Sequence, residues 1–189
     1  MNFENEAITN FRGTVFSNFS IIPGGIDFEG ENYPSVEHAY QAAKTLDPNE
    51  RAKVRKAPTS GKAKALGRKL TLRSDWEEVK IGVMRDLLRK KFPIGTYRAI
   101  TLMATGDAQL VEVNTWGDRF WGQCPRGMGE NWLGKLLMEI RAELLKQEGP
   151  HHRGPRRRAR GGDPSGLPRD AGGVRRRSRQ ARHLRSRRR

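Results

Sequence analysis

The sequence predicts an α+β domain, predominantly helical with a few short strands, followed by a disordered Arg-rich C-terminal tail. Three observations carry this prediction. Two stretches repeat apolar residues at helical spacing: Trp76, Val79, Val83 and Leu87, then Leu133, Leu136, Leu137, Ile140 and Leu144. The opening of the chain, by contrast, has the Gly, Pro and aromatic content of short strands and turns. From about residue 149 the chain becomes Arg, Gly, Pro and Ser, which cannot bury enough surface to offset chain entropy. The domain is therefore expected over 1–148 and the tail over 149–189.

The elements follow in order. "GIDFEGENYP" has turn residues at both ends and reads as a hairpin. Ser35 is a candidate N-cap for "SVEHAYQAAK". Asp47, Pro48 and Glu50 supply a cap, a proline at the first helical position and a capping-box acid for a helix that must end by Pro58. "GKAKALGRKL" reads as a short helix, and Ser74-Asp75-Trp76-Glu77 as a capping box opening a long one that Pro93 stops. "TYRAITLMAT" continues as a helix, "AQLVEVN" alternates as a strand should, and "NWLGKLLMEIRAELLK" closes the domain as a helix.

Composition narrows the function. The net charge of +16 suggests a nucleic-acid binder until it is divided: residues 1–149 hold 22 Lys and Arg against 19 Asp and Glu, while 150–189 hold 15 Arg and two Asp. The domain is mildly basic; the tail is the part suited to nonspecific phosphate-backbone contact, through residues 153–189. Cys124 is the single cysteine, and His38 is the only histidine before the tail, so neither a disulfide nor a thiolate or histidine metal site is expected. No metal or organic cofactor is expected. The N-terminus lacks the pattern of a secretory signal and no stretch suits a membrane span, so a cytoplasmic protein without membrane contact is expected. G-x-S-x-G, P-loop and H-E-x-x-H motifs are all absent.

Three groups of residues attract attention. Glu37, Gln41 and Lys44 share one arc of a helix, either as its solvated face or as a row lining a pocket. "NTWGDRFWGQ" places Trp116, Asp118 and Trp121 among glycines after the expected strand, where an indole can face a nucleobase or cap the core. "FSNF" sets Asn18 between Phe16 and Phe19, either as a turn or as an amide presented to a base or sugar.

Together, "FSNF", "YPSVEHAYQAAK", "GRKLTLRSDWEEVKIGVMRDLLRKKF", "DRFWGQ" and "GENWLGKLLMEIR" resemble the NADAR (YbiA-like) N-glycosidases, in this order, over about residues 11–145. The resemblance implies cleavage of an N-glycosidic bond. Its substrates would be phosphorylated ribosylamino-pyrimidines of riboflavin biosynthesis or, as in other members, ADP-ribose carried on guanine in nucleic acid. It identifies Glu37, Lys44, Trp76, Asp118, Trp121 and Asn131 as the site positions. Ala39 and Ala43 stand where bulkier residues often occur, which would enlarge the pocket.

The chemistry of such a bond fits these types. Breaking it leaves positive charge on the sugar and negative charge on the departing nitrogen, which a carboxylate and a proton donor relieve. A desolvated amine can instead attack C1′ and form a Schiff base. In this reading Lys44 is the nucleophile, Glu37 its proton shuttle, and Asp118 orients the sugar hydroxyls. Trp76 and Trp121 wall in the base, Asn18, Gln41 and Asn131 bind substrate, and Arg68 and Lys91 are candidates for the phosphate. The rival from another class is a basic nucleic-acid-binding protein without catalysis, which the tail favours.

Overall fold

A computed structural model of the chain describes residues 7–149; residues 1–6 and 150–189 lie outside the described residues, and the reading of the tail falls there. The expected hairpin forms from β1 (Ile26–Phe28) and β2 (Glu31–Tyr33), antiparallel with Ile26 opposite Tyr33 and Phe28 opposite Glu31. Its two turn residues, Glu29 and Gly30, take φ of 51° and 80°, the mirror-image turn that matches strand twist. Ile26, Phe28 and Tyr33 face the core.

Among the described residues six helices complete the α+β fold. They are α1 (Val36–Ala42), α2 (Pro48–Arg55), α3 (Ser60–Gly67), α4 (Trp76–Lys91), α5 (Tyr97–Met103) and α6 (Trp132–Glu148). The helix α1 is the hub: α2, α3, α4 and the hairpin all pack on it, and each of its seven residues is buried. Ala39, Ala42 and Ala43 let those neighbours close in. Ala39 and Ala43 are thus core residues, and the expectation that they enlarge a pocket does not hold.

Local signals account for most helix ends. Ser35, Asp47, Thr59 and Thr96 cap α1, α2, α3 and α5 by accepting from the N–H groups of His38, Asn49, Lys62 and Ala99. Two expected capping boxes do not close. The Glu50 carboxylate turns away to accept from the Thr45 hydroxyl at 2.6 Å and the Thr71 N–H at 3.1 Å. The N-cap of α4 is Asp75, and Arg73 holds its carboxylate through contacts of 2.6 and 2.8 Å, leaving none for the helix. Arg85–Glu139 and Arg89–Glu143 ion pairs then clip α4 to α6.

The expected strand over 108–114 is replaced by extended chain with two isolated bridges, Ile8 to Leu110 and Val113 to Gln123. A side chain occupies the place of a strand partner. Asn131 accepts from the Glu112 N–H at 3.0 Å and donates to the Leu110 carbonyl at 2.9 Å, reproducing one peptide's worth of a ladder. No helix among the described residues is long and apolar enough to cross a membrane.

Candidate active site

The polar row on α1 is not a solvated face. Glu37 and Gln41 are 5% and 4% exposed, so the helix buries an acid and an amide at the centre of the fold. Gln41 donates from Nε2 to Glu37 Oε1 at 2.8 Å, the pairing that a four-residue spacing allows. The Gln41 amide lies against Gly67, where a Cβ would stand 1.9 Å from Gln41 Oε1, so glycine is required for α3 to approach. Gln41 Oε1 has no hydrogen-bond partner among the described residues, and neither has the buried Asn18 Oδ1.

Lys44 lies just past the end of α1, where its N–H donates to the Gln41 carbonyl and its own carbonyl accepts from the Arg73 N–H at 2.8 Å. Its Nζ stands 5.8 Å from the centre of the Tyr40 ring. Burial pulls the Lys44 amine below its ordinary range, against the pull of the Glu37 charge, with Lys64 and Arg68 lowering it further. Burial likewise pushes the Glu37 carboxyl up, although the Gln41 hydrogen bond and the Lys64 and Lys44 charges oppose it. The two groups are thus each moved toward neutrality, the condition for exchanging a proton.

The loop after residue 110 packs on α1 through Trp121 and Tyr40. Asn114 holds it in shape: its Nδ2 donates to the Asp118 carbonyl at 2.8 Å and its Oδ1 accepts from the Asp118 N–H at 3.1 Å. Asp118 Oδ1 then accepts from the Trp121 N–H at 2.9 Å. The Asp118 charge acts on both Glu37 and Lys44, so the structure brings the three expected catalytic residues into one electrostatic environment. Trp121 meets Tyr40 edge-on at 5.3 Å, and Trp76 packs on Tyr40 at 5.1 Å with its ring tilted. Trp76 is 5% exposed, so its ring is packed into the core and not offered to a ligand.

Other expected site residues fall in different places. Asn18 is buried beside Met84 and its carbonyl accepts the Glu37 N–H at 3.0 Å, tying "FSNF" to the acid. Arg68 caps the C-terminal end of α3 and is exposed, within reach of the Lys44 field. Asn131 has both ends of its amide engaged with backbone, so it shapes the wall. Lys91 departs furthest from expectation. It is 1% exposed and its Nζ donates to the Ser17 carbonyl at 2.8 Å, which removes it from any phosphate and makes it an anchor for the Asn18 loop.

Sequence reasoning missed two groups. Lys64 in α3 lies close to two exposed rings, 5.6 Å from Phe19 and 5.8 Å from Trp116, and its charge reaches Glu37, Lys44 and Glu112. Nothing in its spacing marked it. Glu112 did carry a signal: in "LVEVN" it shares a row with Leu110 and Asn114, both fully buried, an unusual place for an acid. Among the described residues no group of three or more His, Cys, Asp or Glu is arranged to hold a metal ion. A groove of about 310 Å³ between α4 and α6 is lined by Arg89, Phe92 and Glu143 and lacks such a constellation.

Comparison with known proteins shows the family. The NADAR domain family model matches residues 4–145. N-glycosidase YbiA of Shigella sonnei is 40% identical over 146 residues, which is 74% of this chain and 89% of that protein. A riboflavin biosynthesis protein of Vibrio vulnificus is 40% identical over 124 residues, 65% of this chain and 34% of that longer protein. Among solved structures, the NMR structure of the Escherichia coli protein YbiA superposes with a TM-score of 0.68 at 36% identity, covering 79% of this chain and 91% of that one. On this match, which spans the buried acid, the amine and the second wall alike, the chain belongs to the NADAR domain family.

Proposed function

We propose that this protein is an N-glycosidase that releases the base from a phosphorylated ribosylamino-pyrimidine, with Lys44 as nucleophile. The observation that carries the reading is a desolvated amine beside a buried acid, each shifted toward its neutral form. The names of the relatives, an N-glycosidase and a riboflavin biosynthesis protein, support the bond type and the substrate class.

The steps balance as follows. The Lys44 amine bonds to C1′ while the C1′–N bond breaks and its electron pair leaves with the base. The proton lost from Lys44 passes to Glu37, and another must reach the departing nitrogen. The nitrogen lone pair of Lys44 then opens the sugar ring, giving a Schiff base as the remaining N–H proton passes to the ring oxygen. Glu37 returns its proton to the Lys44 nitrogen as water adds to C1′ and gives one proton to the group that protonated the base, and Lys44 departs as a free amine, releasing a reducing sugar phosphate. In this scheme Asp118 orients the sugar hydroxyls. Asn18 Oδ1 and Gln41 Oε1 are buried acceptors without partners among the described residues, suited to hydroxyl donors. Trp121 walls in the base, and Arg68 meets the phosphate.

A second reading, removal of ADP-ribose from guanine in nucleic acid, draws on the 15 Arg of residues 150–189. Release of base and reducing sugar from a ribosylamino-pyrimidine phosphate and from an ADP-ribosylated guanine oligonucleotide separates the two. Borohydride added during turnover should trap a sugar phosphate on the wild-type chain and not on Lys44→Ala. Turnover without a trappable adduct would remove the Schiff base in favour of direct attack by water. Silence on both substrates from a folded protein would leave only nucleic-acid binding.

A further inference from the structure

Glu112 is placed like a working group and has no structural task. It lies midway along the extended wall, half-buried between Leu110 and Asn114, which are fully buried in the same row. Its backbone is clamped on both sides. The N–H donates to Asn131 Oδ1 at 3.0 Å, and the carbonyl accepts from the Gln123 N–H at 2.8 Å. Gly122 closes over it so tightly that a Cβ there would stand 2.2 Å from the Glu112 carbonyl oxygen and 3.1 Å from its Cγ. The side chain is therefore held on a fixed path, yet no hydrogen bond or ion pair engages its carboxyl among the described residues. Glu50, an acid with a structural task, shows the contrast: its oxygens are taken by Thr45 and Thr71.

The charged groups facing Glu112 are Asp118 from its own loop and Lys64 from α3, and both also act on Glu37 and Lys44. Gly122, which closes over Glu112, follows Trp121, whose ring meets the Tyr40 ring that Lys44 Nζ approaches at 5.8 Å, so the segment of Glu112 borders the same site. Burial first, and the Asp118 charge second, push it up to about 7 against the pull of Lys64, so that both its protonated and ionised forms are populated near neutral pH. An acid at the border of the nucleophile's site, with no partner for its carboxyl, is what the unassigned proton of the cleavage step requires.

We propose that Glu112 is the general acid that protonates the departing nitrogen as Lys44 attacks C1′ from the other side. The inference rests on the glycosidase reading. As the C1′–N bond breaks, its electron pair moves to nitrogen, the Glu112 O–H bond gives up its proton there, and a carboxylate remains. The water that later releases Lys44 restores the proton. Glu37 then serves only the amine, and Asp118 only the sugar, so each carboxyl has one task.

The test is a series of aminopyrimidine ribosyl phosphates whose leaving amines differ in basicity, turned over by wild type, Glu112→Gln and Glu112→Asp. A general acid matters most where the leaving group most needs a proton. Glu112→Gln is expected to lose about a hundredfold or more on the most basic leaving amines and to approach wild type on the most electron-poor ones. Glu112→Asp, whose acid is one methylene short, recovers part of that loss. The alkaline limb of the wild-type kcat profile should disappear in Glu112→Gln. A loss equal across the series in both variants would mean that Glu112 only holds the wall, and no loss would mean that it does nothing; either overturns the assignment. A wild-type protein silent on the whole series would overturn the glycosidase reading itself, a result distinct from an active wild type with an indifferent Glu112→Gln.

Discussion

Glu37 puts the cost of function in its plainest form. A carboxyl raised in the folded state binds its proton more tightly there than in the unfolded chain, where it keeps its ordinary value of 4.5. The folded state is therefore favoured below that value and disfavoured as pH rises through the folded one. At neutral pH Glu37 opposes folding, and Glu37→Gln should raise Tm while lowering turnover about a hundredfold or more. Gln41 Nε2 can still donate to the new amide oxygen, so the core is not disrupted. The gain in Tm should shrink as pH falls below the carboxyl range; a variant less stable than wild type at pH 7 would contradict the argument. At this scale the sequence was legible only in part. The spacing of Glu37 and Lys44 suited a wet face as well as a site, because spacing reports a shared side and not what covers it. Lys91 looked like a surface cation for the same reason: its burial comes from the Ser17 carbonyl, 74 residues away in the chain. Glu112 shares the parity of Leu110 in "AQLVEVN", a hint that does not by itself tell a pocket from a wet edge.

Elements whose ends are fixed by one residue were readable; those fixed across the chain were not. Pro48, Pro58 and Pro93, with the caps Ser35 and Asp47, bound their helices through contacts within a few positions. The supposed strand near 110 has its partner in Asn131, twenty-one positions from Leu110, and no periodicity could announce that. Asn131 also takes φ of 53°, a left-handed geometry that asparagine and glycine tolerate, as it opens α6. Asn131→Gly keeps that backbone freedom and removes only the amide, leaving the Glu112 N–H and the Leu110 carbonyl unpaired. The expected loss is about 1–3 kcal/mol of stability, measured by chemical denaturation. If the wall carries Glu112, kcat should also fall with KM little changed. Unchanged stability would show that the two backbone groups find other partners, and that the mimicry of a ladder contributes nothing.

The whole chain divides by charge at a place its fold explains. Helix α6 ends at Glu148, Gly149 follows with φ of 70°, and the family match has already ended at 145. Before that point cations and acids nearly balance, and after it 15 Arg face two Asp. Every group of the candidate site lies between Asn18 and Asn131, inside the family match and before the basic segment. Removing residues 150–189 should therefore leave Tm and kcat/KM on a ribosylamino-pyrimidine phosphate unchanged. The same cut should abolish affinity for single-stranded nucleic acid together with its steep salt dependence, since each neutralised phosphate contributes a slope of about −0.7 in the logarithmic plot. A truncated protein that keeps both activity and nucleic-acid affinity would place the binding surface in the domain, against its near-neutral balance. One whose KM rises on an ADP-ribosylated oligonucleotide, and not on the free nucleotide, would give the basic segment the task of holding a polymer at the pocket. That outcome would favour the second substrate class over the first, without altering which residues do the chemistry.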